Sequence, residues 1–261
     1  MTADVNGVAV SYLRTGTGED PVMLLHGLMG DGAGWAPVTR LLEADLDVIA
    51  PDARGHGRSS APDSGYRYSD LAADVVGLTE HLDLRRLLLV GHSMGGMTAA
   101  LAATQLGQRL RGLVLVDPTF LSETRQQQVY ESDVLDQHRQ ALRRGRAVLL
   151  EEALARQTHR SPKVVELQVE ARMRTSLAAF DVLRPPNPPY RALVGRLDVP
   201  TLLVIGDRPV VTPDMAMELC ELNTRLRVEQ VAGAGHGLPF DQPEQLARSI
   251  LAFARELSDG P

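Results

Sequence analysis

Lysine is almost absent from this chain of 261 residues: Lys163 is the only one, and arginine carries the rest of the positive charge. Lys163 sits in an otherwise polar helical stretch, which rules out most lysine-based mechanisms; the bias reads as GC-rich coding rather than chemistry. Cysteine is as scarce. Cys220 stands alone, so no intrachain disulfide can form. Its setting, Met217-Glu218-Leu219-Cys220, reads as a buried helix face carrying a packed thiol rather than a nucleophile. A basic excess is also missing. The net charge is −6 and the isoelectric point is near 5.7, so there is no broad positive field to draw nucleic acid. No apolar run approaches the roughly 18 residues that a membrane helix needs. The opening Met-Thr-Ala-Asp-Val has neither a basic nor an apolar leader region. A soluble, cytoplasmic protein with no membrane segment is the expectation. No His, Cys, Asp or Glu spacing suggests a metal, no phosphate-binding glycine loop follows a strand, and no internal repeat is visible.

What is present is an alternation. Apolar residues make up 44% of the chain, enough for one substantial core. Short apolar runs at Val8–Leu13, Pro21–Leu25, Leu46–Ala50, Arg86–Val90, Gly112–Val116, Thr201–Ile205 and Leu226–Val231 read as strands. Between them, Trp35–Ala44, Ser69–Leu82, Met94–Leu106, Pro213–Leu222 and Gln242–Leu257 carry helical spacing of apolar residues. Ser69 and Thr212 are expected as N-caps, with Pro213 at the first helical position. Strands alternating with helices predict a parallel sheet covered by helices, an α/β class. One segment breaks the rhythm. From about Phe120 to Tyr190 the chain is charged, helical and strandless, ending in the stiff run Pro185-Pro186-Asn187-Pro188-Pro189. It reads as a helical cap inserted between two strands. The expected division is therefore a core over 1–119, a cap over 120–190 and a second part of the core over 191–261.

The motif with the most chemistry is Gly91-His92-Ser93-Met94-Gly95-Gly96, a G-x-S-x-G run that directly follows a strand and opens a helix. A sharp strand-to-helix turn forces strain on the serine. It leaves no room for side chains at Gly91 or Gly95, and lifts the hydroxyl above the sheet edge. The same turn aims the Met94 N–H at a developing oxyanion. His26-Gly27-Leu28 follows an earlier strand and fits the second half of an oxyanion hole, with the Leu28 N–H as donor. Gly233-Ala234-Gly235-His236-Gly237 follows the last strand and places a histidine at the same rim as Ser93, where open parallel sheets build their sites. His92, next to the serine, is expected to pack beneath the cleft. Trp35, Phe120 and Leu121 are candidates to line a substrate pocket, with core packing equally open for Trp35.

These motifs, together with Asp52-Ala53-Arg54-Gly55-His56-Gly57-Arg58-Ser59 and Leu115-Val116-Asp117-Pro118, give the chain a resemblance to the α/β-hydrolase superfamily over nearly its full length. The resemblance implies an eight-stranded, mostly parallel sheet with a helical cap after the sixth strand, a Ser–His–acid triad, and no cofactor. It implies a structural role for the Arg54–Ser59 loop. The acid departs from the family pattern. The family usually carries it three residues past the glycine after the seventh strand, and here that position is Pro209, with Asp207 two residues early. Some members carry it after the sixth strand, where Asp117 stands. Either aspartate also has an ordinary use as a turn residue, so both remain candidates beside Ser93 and His236. The expected activity is hydrolysis of a carboxylic ester or lactone of a small to medium hydrophobic substrate. Alternatives on the same scaffold are carbon–carbon bond hydrolysis of a diketone, a lyase or cyclase, and a non-catalytic ligand receptor. The expected partner is a small-molecule substrate. A homodimer rests on analogy with capped folds alone.

Overall fold

The computed structural model describes residues 1–258. Eight strands form one sheet: β1 (Thr2–Val5), β2 (Val8–Thr15), β3 (Pro21–Leu25), β4 (Asp47–Pro51), β5 (Leu87–His92), β6 (Leu110–Val116), β7 (Thr201–Ile205) and β8 (Leu226–Gln230). Their spatial order is β1-β2-β4-β3-β5-β6-β7-β8. The first two contacts, β1 with β2 and β2 with β4, are antiparallel, and the other five are parallel. The β1–β2 hairpin turns on Asn6 and Gly7, with φ of 50° and 72°. Two successive left-handed residues match the twist of a hairpin, and Asn-Gly tolerates them best.

The central strands are apolar throughout because helices cover both faces. Their side chains still alternate. Met23, Leu25, Leu89, Leu113, Leu115 and Leu203 join one core, under α2 (Tyr68–His81), α3 (Met94–Leu106) and α9 (Pro213–Leu222). Val22, Leu24, Leu88, Val90, Val114, Val116, Leu202 and Val204 join the other, under α1 (Ala36–Leu42) and α11 (Pro243–Ser258). Each such leucine or valine contributes roughly 1.5–3 kcal/mol by leaving water. A one-residue slip of any strand would exchange the two sets.

Between β6 and β7 runs the strandless cap: α4 (Glu123–Tyr130), α5 (Val134–Arg144), α6 (Arg146–Arg156), α7 (Pro162–Met173), a 3-10 turn over Leu177–Leu183, and α8 (Tyr190–Gly195). It has a small core of its own, built from Ala141, Leu149, Ala153, Val165 and Val169. After β8, the short α10 (Leu238–Asp241) precedes α11.

Three local expectations need correction. α2 begins at Tyr68, so Ser69 lies inside the first turn; there the Arg67 N–H donates to the Asp70 carboxylate at 2.8 Å. The helix expected from Trp35 is shorter. A 3-10 turn over Gly32–Trp35, capped by Asp31, leads into α1, with Pro37 in its first turn. β1, the eighth strand, falls outside the seven apolar runs, since its alternation spans only Thr2–Val5. Thr212 does cap α9, accepting the Met215 N–H at 3.3 Å.

Candidate active site

Ser93 lies between β5 and α3 with φ 55° and ψ −118°, a conformation that non-glycine residues rarely adopt. The turn is possible because its flanks are bare. A Cβ on Gly91 would stand 2.2 Å from the Gly95 carbonyl oxygen, and one on Gly95 would stand 2.3 Å from that of Leu25. The strain aims the Ser93 hydroxyl at His236. The Ser93 Oγ is 2.9 Å from His236 Nε2, and His236 Nδ1 is 2.6 Å from Asp117 Oδ2. The carboxylate can only accept here, so Nδ1 carries the proton and the Nε2 lone pair faces the serine hydroxyl. That is the tautomer a general base requires.

Asp117 and Asp207 both serve the histidine loop, by different means. Asp117 is fully buried at the end of β6. Its carboxylate accepts the Val210 N–H at 2.9 and 3.0 Å and the Val211 N–H at 3.0 Å, besides the imidazole. The loop after β7 thus supplies amides that hold the carboxylate, rather than an acid of its own. Asp207 makes no hydrogen bond to the His236 ring. Its carboxylate accepts the Gly233 N–H at 2.7 Å, and its own N–H donates to the Ala234 carbonyl at 2.7 Å. Asp207 therefore shapes the backbone that carries His236.

The loop after β3 is fixed by His26. The Ala53 N–H donates to His26 Nε2 at 2.9 Å, so the proton sits on Nδ1 and donates to the Gly27 carbonyl at 2.8 Å. A Cβ on Gly27 would lie 3.1 Å from the Ser93 Cβ, which shows how closely this loop passes the serine. The Leu28 N–H has no acceptor among the described residues. The Met94 N–H opens α3, where helix geometry leaves it without an intrahelical partner. Two free donors thus flank the serine.

The family profile described as alpha/beta hydrolase fold matches residues 20–243. The chain belongs to the α/β-hydrolase family. A putative non-heme chloroperoxidase of Synechocystis sp. is 28% identical over 267 residues, covering 94% of this chain and 95% of its own. N-formylmaleamate deformylase of Pseudomonas putida is 30% identical over 249 residues, covering 90% and 89%. The crystal structure of the enol-lactonase from Burkholderia xenovorans superposes with a TM-score of 0.78 at 22% identity, over 98% of this chain and 100% of that one. The chain is thus an enzyme of the hydrolase type, and the structural likeness extends to the cap.

Two cavities of this hydrolase open near Ser93, which itself lines neither: the first reaches Gly27 and His92 beside it, and the second reaches Thr119, whose N–H donates to the Ser93 carbonyl at 3.2 Å. The first, about 250 Å³, is walled by Gly27, Leu28, Asp31, Trp35 and His92 on the core side, and by Leu149, Ala153, Arg156, Val169 and Arg172 from α6 and α7. The second, about 350 Å³, lies over the β6 and β7 side and is walled by Tyr68, Thr119, Leu121, Val129, Leu183 and Val210. Trp35 therefore borders the first cavity and Leu121 the second. Phe120 borders neither: it is buried in the core, stacked on Tyr190 with ring centroids 5.2 Å apart. The stretch after Asp117-Pro118 turns its first aromatic inward, which the linear pattern does not reveal.

His92 does more than pack. Its Nε2–H donates to the His236 backbone carbonyl at 2.7 Å. Burial, reinforced by the neighbouring His236, pushes its pKa down to about 4, so it is a neutral donor at pH 7. Asp241 on α10 adds a second hold: it accepts the Gly235 N–H at 3.3 Å and pairs with Arg160 of the cap at 2.7 Å. Nothing in the sequence marks these partners, which lie more than 80 residues from one another along the chain for both His92–His236 and Arg160–Asp241. Among the described residues, no group of three or more His, Cys, Asp or Glu side chains could hold a metal, and no helix is long and apolar enough to cross a membrane.

Proposed function

We propose that the chain is a serine hydrolase that cleaves a carboxylic ester or lactone of a small substrate through Ser93, His236 and Asp117. The continuous hydrogen-bond chain from the serine hydroxyl through the imidazole to a buried carboxylate carries this reading. Ser93 Oγ attacks the carbonyl carbon as its proton passes to His236 Nε2. The negative charge on the carbonyl oxygen falls to the Leu28 and Met94 N–H groups. The tetrahedral adduct collapses, the C–O bond to the alcohol breaks, and His236 returns its proton to the departing alkoxide. Water then enters, loses a proton to His236 and attacks the acyl-enzyme, which releases the acid and restores Ser93. Asp117 holds the imidazole tautomer and stabilises the imidazolium formed in each half-reaction. In this reading residues 120–190 act as the cap that sets specificity, and the apolar walls supplied by Trp35, Leu149 and Val169 receive the substrate body.

The test is p-nitrophenyl butyrate with wild-type enzyme and Ser93→Ala. Burst kinetics with wild type, and loss of at least about four orders of magnitude in kcat with the variant, are expected. Near-wild-type turnover by Ser93→Ala would remove the nucleophile assignment. Slow or absent turnover together with tight, saturable ligand binding would favour a receptor.

A further inference from the structure

On its α6–α7 side the first cavity is lined by two arginines that form no ion pair among the described residues. Arg172, on α7, lines that cavity and is half-buried. Its Nε is buried with no hydrogen-bond partner among the described residues, and its one contact is a long 3.4 Å bond from a terminal nitrogen to the Gln137 carbonyl. Burial, then repulsion from Arg156 and Arg144, pushes its pKa down. Arg156, on α6, lines the same cavity and makes no ion pair among the described residues. Nearby charges are otherwise matched: Arg144 bonds Glu152, and Arg160 bonds Asp241. The one acid in the cavity wall, Asp31, is engaged in capping the turn at Gly34 and lies 3.9 Å from Arg174. Leaving a guanidinium desolvated and unpaired beside two other cations is costly. The arrangement makes physical sense when an anion completes it, and a planar carboxylate matches the guanidinium fork.

We propose that Arg172, assisted by Arg156, binds a carboxylate carried by the substrate, so that the substrate class is a small ester or lactone bearing a free carboxylate. The substrate's reactive carbonyl meets Ser93 at the Gly27–His92 end of the cavity while its anionic end reaches α6 and α7. The cavity, about 250 Å³, lies below the roughly 300–1,000 Å³ that holds drug-sized ligands, which fits a compact molecule. This inference rests on the hydrolase reading for its reaction and on Arg172, with Arg156 in a lesser part, for its charge.

The experiment has two arms. In the first, kcat/KM is measured by pH-stat for monomethyl succinate and methyl butyrate, esters of similar size that differ in one carboxylate. Wild type should prefer the anionic ester by at least about tenfold. That preference should fall about tenfold or more in Arg172→Leu and should be partly kept in Arg172→Lys. Arg156→Ala, at an exposed position, should lower it less and serves if Arg172→Leu does not fold. In the second arm, Tm of Ser93→Ala is followed with succinate and with succinamide at equal ionic strength. Only succinate should raise it, and adding Arg172→Leu should abolish the rise. Equal shifts with both ligands, or an ester preference that Arg172→Leu leaves unchanged, overturns the anion site even if p-nitrophenyl butyrate is still hydrolysed. Succinate binding that depends on Arg172, with no ester turned over by wild type, keeps the anion site and overturns the hydrolase reading.

Discussion

A buried arginine and a half-buried one show how the core and the cap differ. Arg54 lies under the sheet rim, where its guanidinium meets the Asp74 carboxylate at two points, both 2.6 Å, and the Gly65 carbonyl at 2.6 Å. Asp74, its hydrogen bonds foremost, raises the Arg54 pKa, the reverse of what happens to Arg172 in the cap, where burial and other arginines lower it. The rim is closed electrostatically: its loops are tied by Asp52, which accepts the Gly32 and Arg58 amides at 2.7 and 2.8 Å, and by His26. The cap is left open on the side that faces the cavity. These pairings hold the rim loops in fixed geometry, although Trp35 Nε1 and His56 Nε2 stay buried without a partner among the described residues. A surface that recognises a ligand keeps groups free for it.

Substitutions at the rim should break this comparison most severely. Asp117→Asn should lower kcat by about 10⁴-fold, because the imidazole loses its acceptor and its tautomer. Asp207→Asn, at a carboxylate that holds only the loop backbone, should stay within about tenfold of wild type; steady-state kinetics with p-nitrophenyl butyrate separates the two. Next in size is the closed arginine. Asp74→Ala should destabilise the fold by about 3–5 kcal/mol, since it strands a buried guanidinium. Arg172→Leu in the unliganded protein should leave Tm unchanged or raise it, because it removes an unpaired cation. Denaturation midpoints of the two variants sharpen the contrast.

A third effect belongs to the buried histidines of the rim. Burial, with the neighbouring His26 as a lesser cause, pushes His56 down to about 3, and His92 lies at about 4. Both are neutral when folded, whereas the unfolded chain takes up protons below about pH 6.5. The unfolded state therefore binds more protons in that range. Stability contributed by these residues is complete above about pH 6.5 and is lost as pH falls towards 4 and then 3, by an amount on the order of a few kcal/mol. Tm against pH should slope downward there, and His56→Gln should flatten the slope. Smaller than the Asp117 effect is the positioning effect of His92. His92→Ala should cost about tenfold to a hundredfold in kcat with little change in KM, since the His236 carbonyl loses its anchor but substrate contacts persist. His92→Gln, which keeps a donor, should recover part of it.

The same division runs through what could be read in advance. β3, β7, α3 and α9 are visible in the sequence to the residue, because uninterrupted apolar runs and glycine or proline punctuation mark them directly. Ser93 and His236 are legible because a strained turn and a glycine-flanked loop need particular local residues. Phe120, a pocket candidate by sequence, packs instead on Tyr190, 70 residues away. The cavity wall comes from Leu149, Ala153 and Val169, whose inward faces depend on how α6 and α7 lie against the core.

The sequence by itself determined the parallel sheet, the elbow at Ser93 and the late histidine, because each is set by residues adjacent in the chain. Only the tertiary structure decided that Asp117 rather than Asp207 meets the imidazole, that His92 holds the histidine loop, and that Arg172 stands in the cavity wall with no ion pair among the described residues. Those outcomes depend on which loops the sheet order brings side by side and which side chains burial turns towards one another. Neighbours 93 to 144 residues apart are selected by packing, not by local pattern.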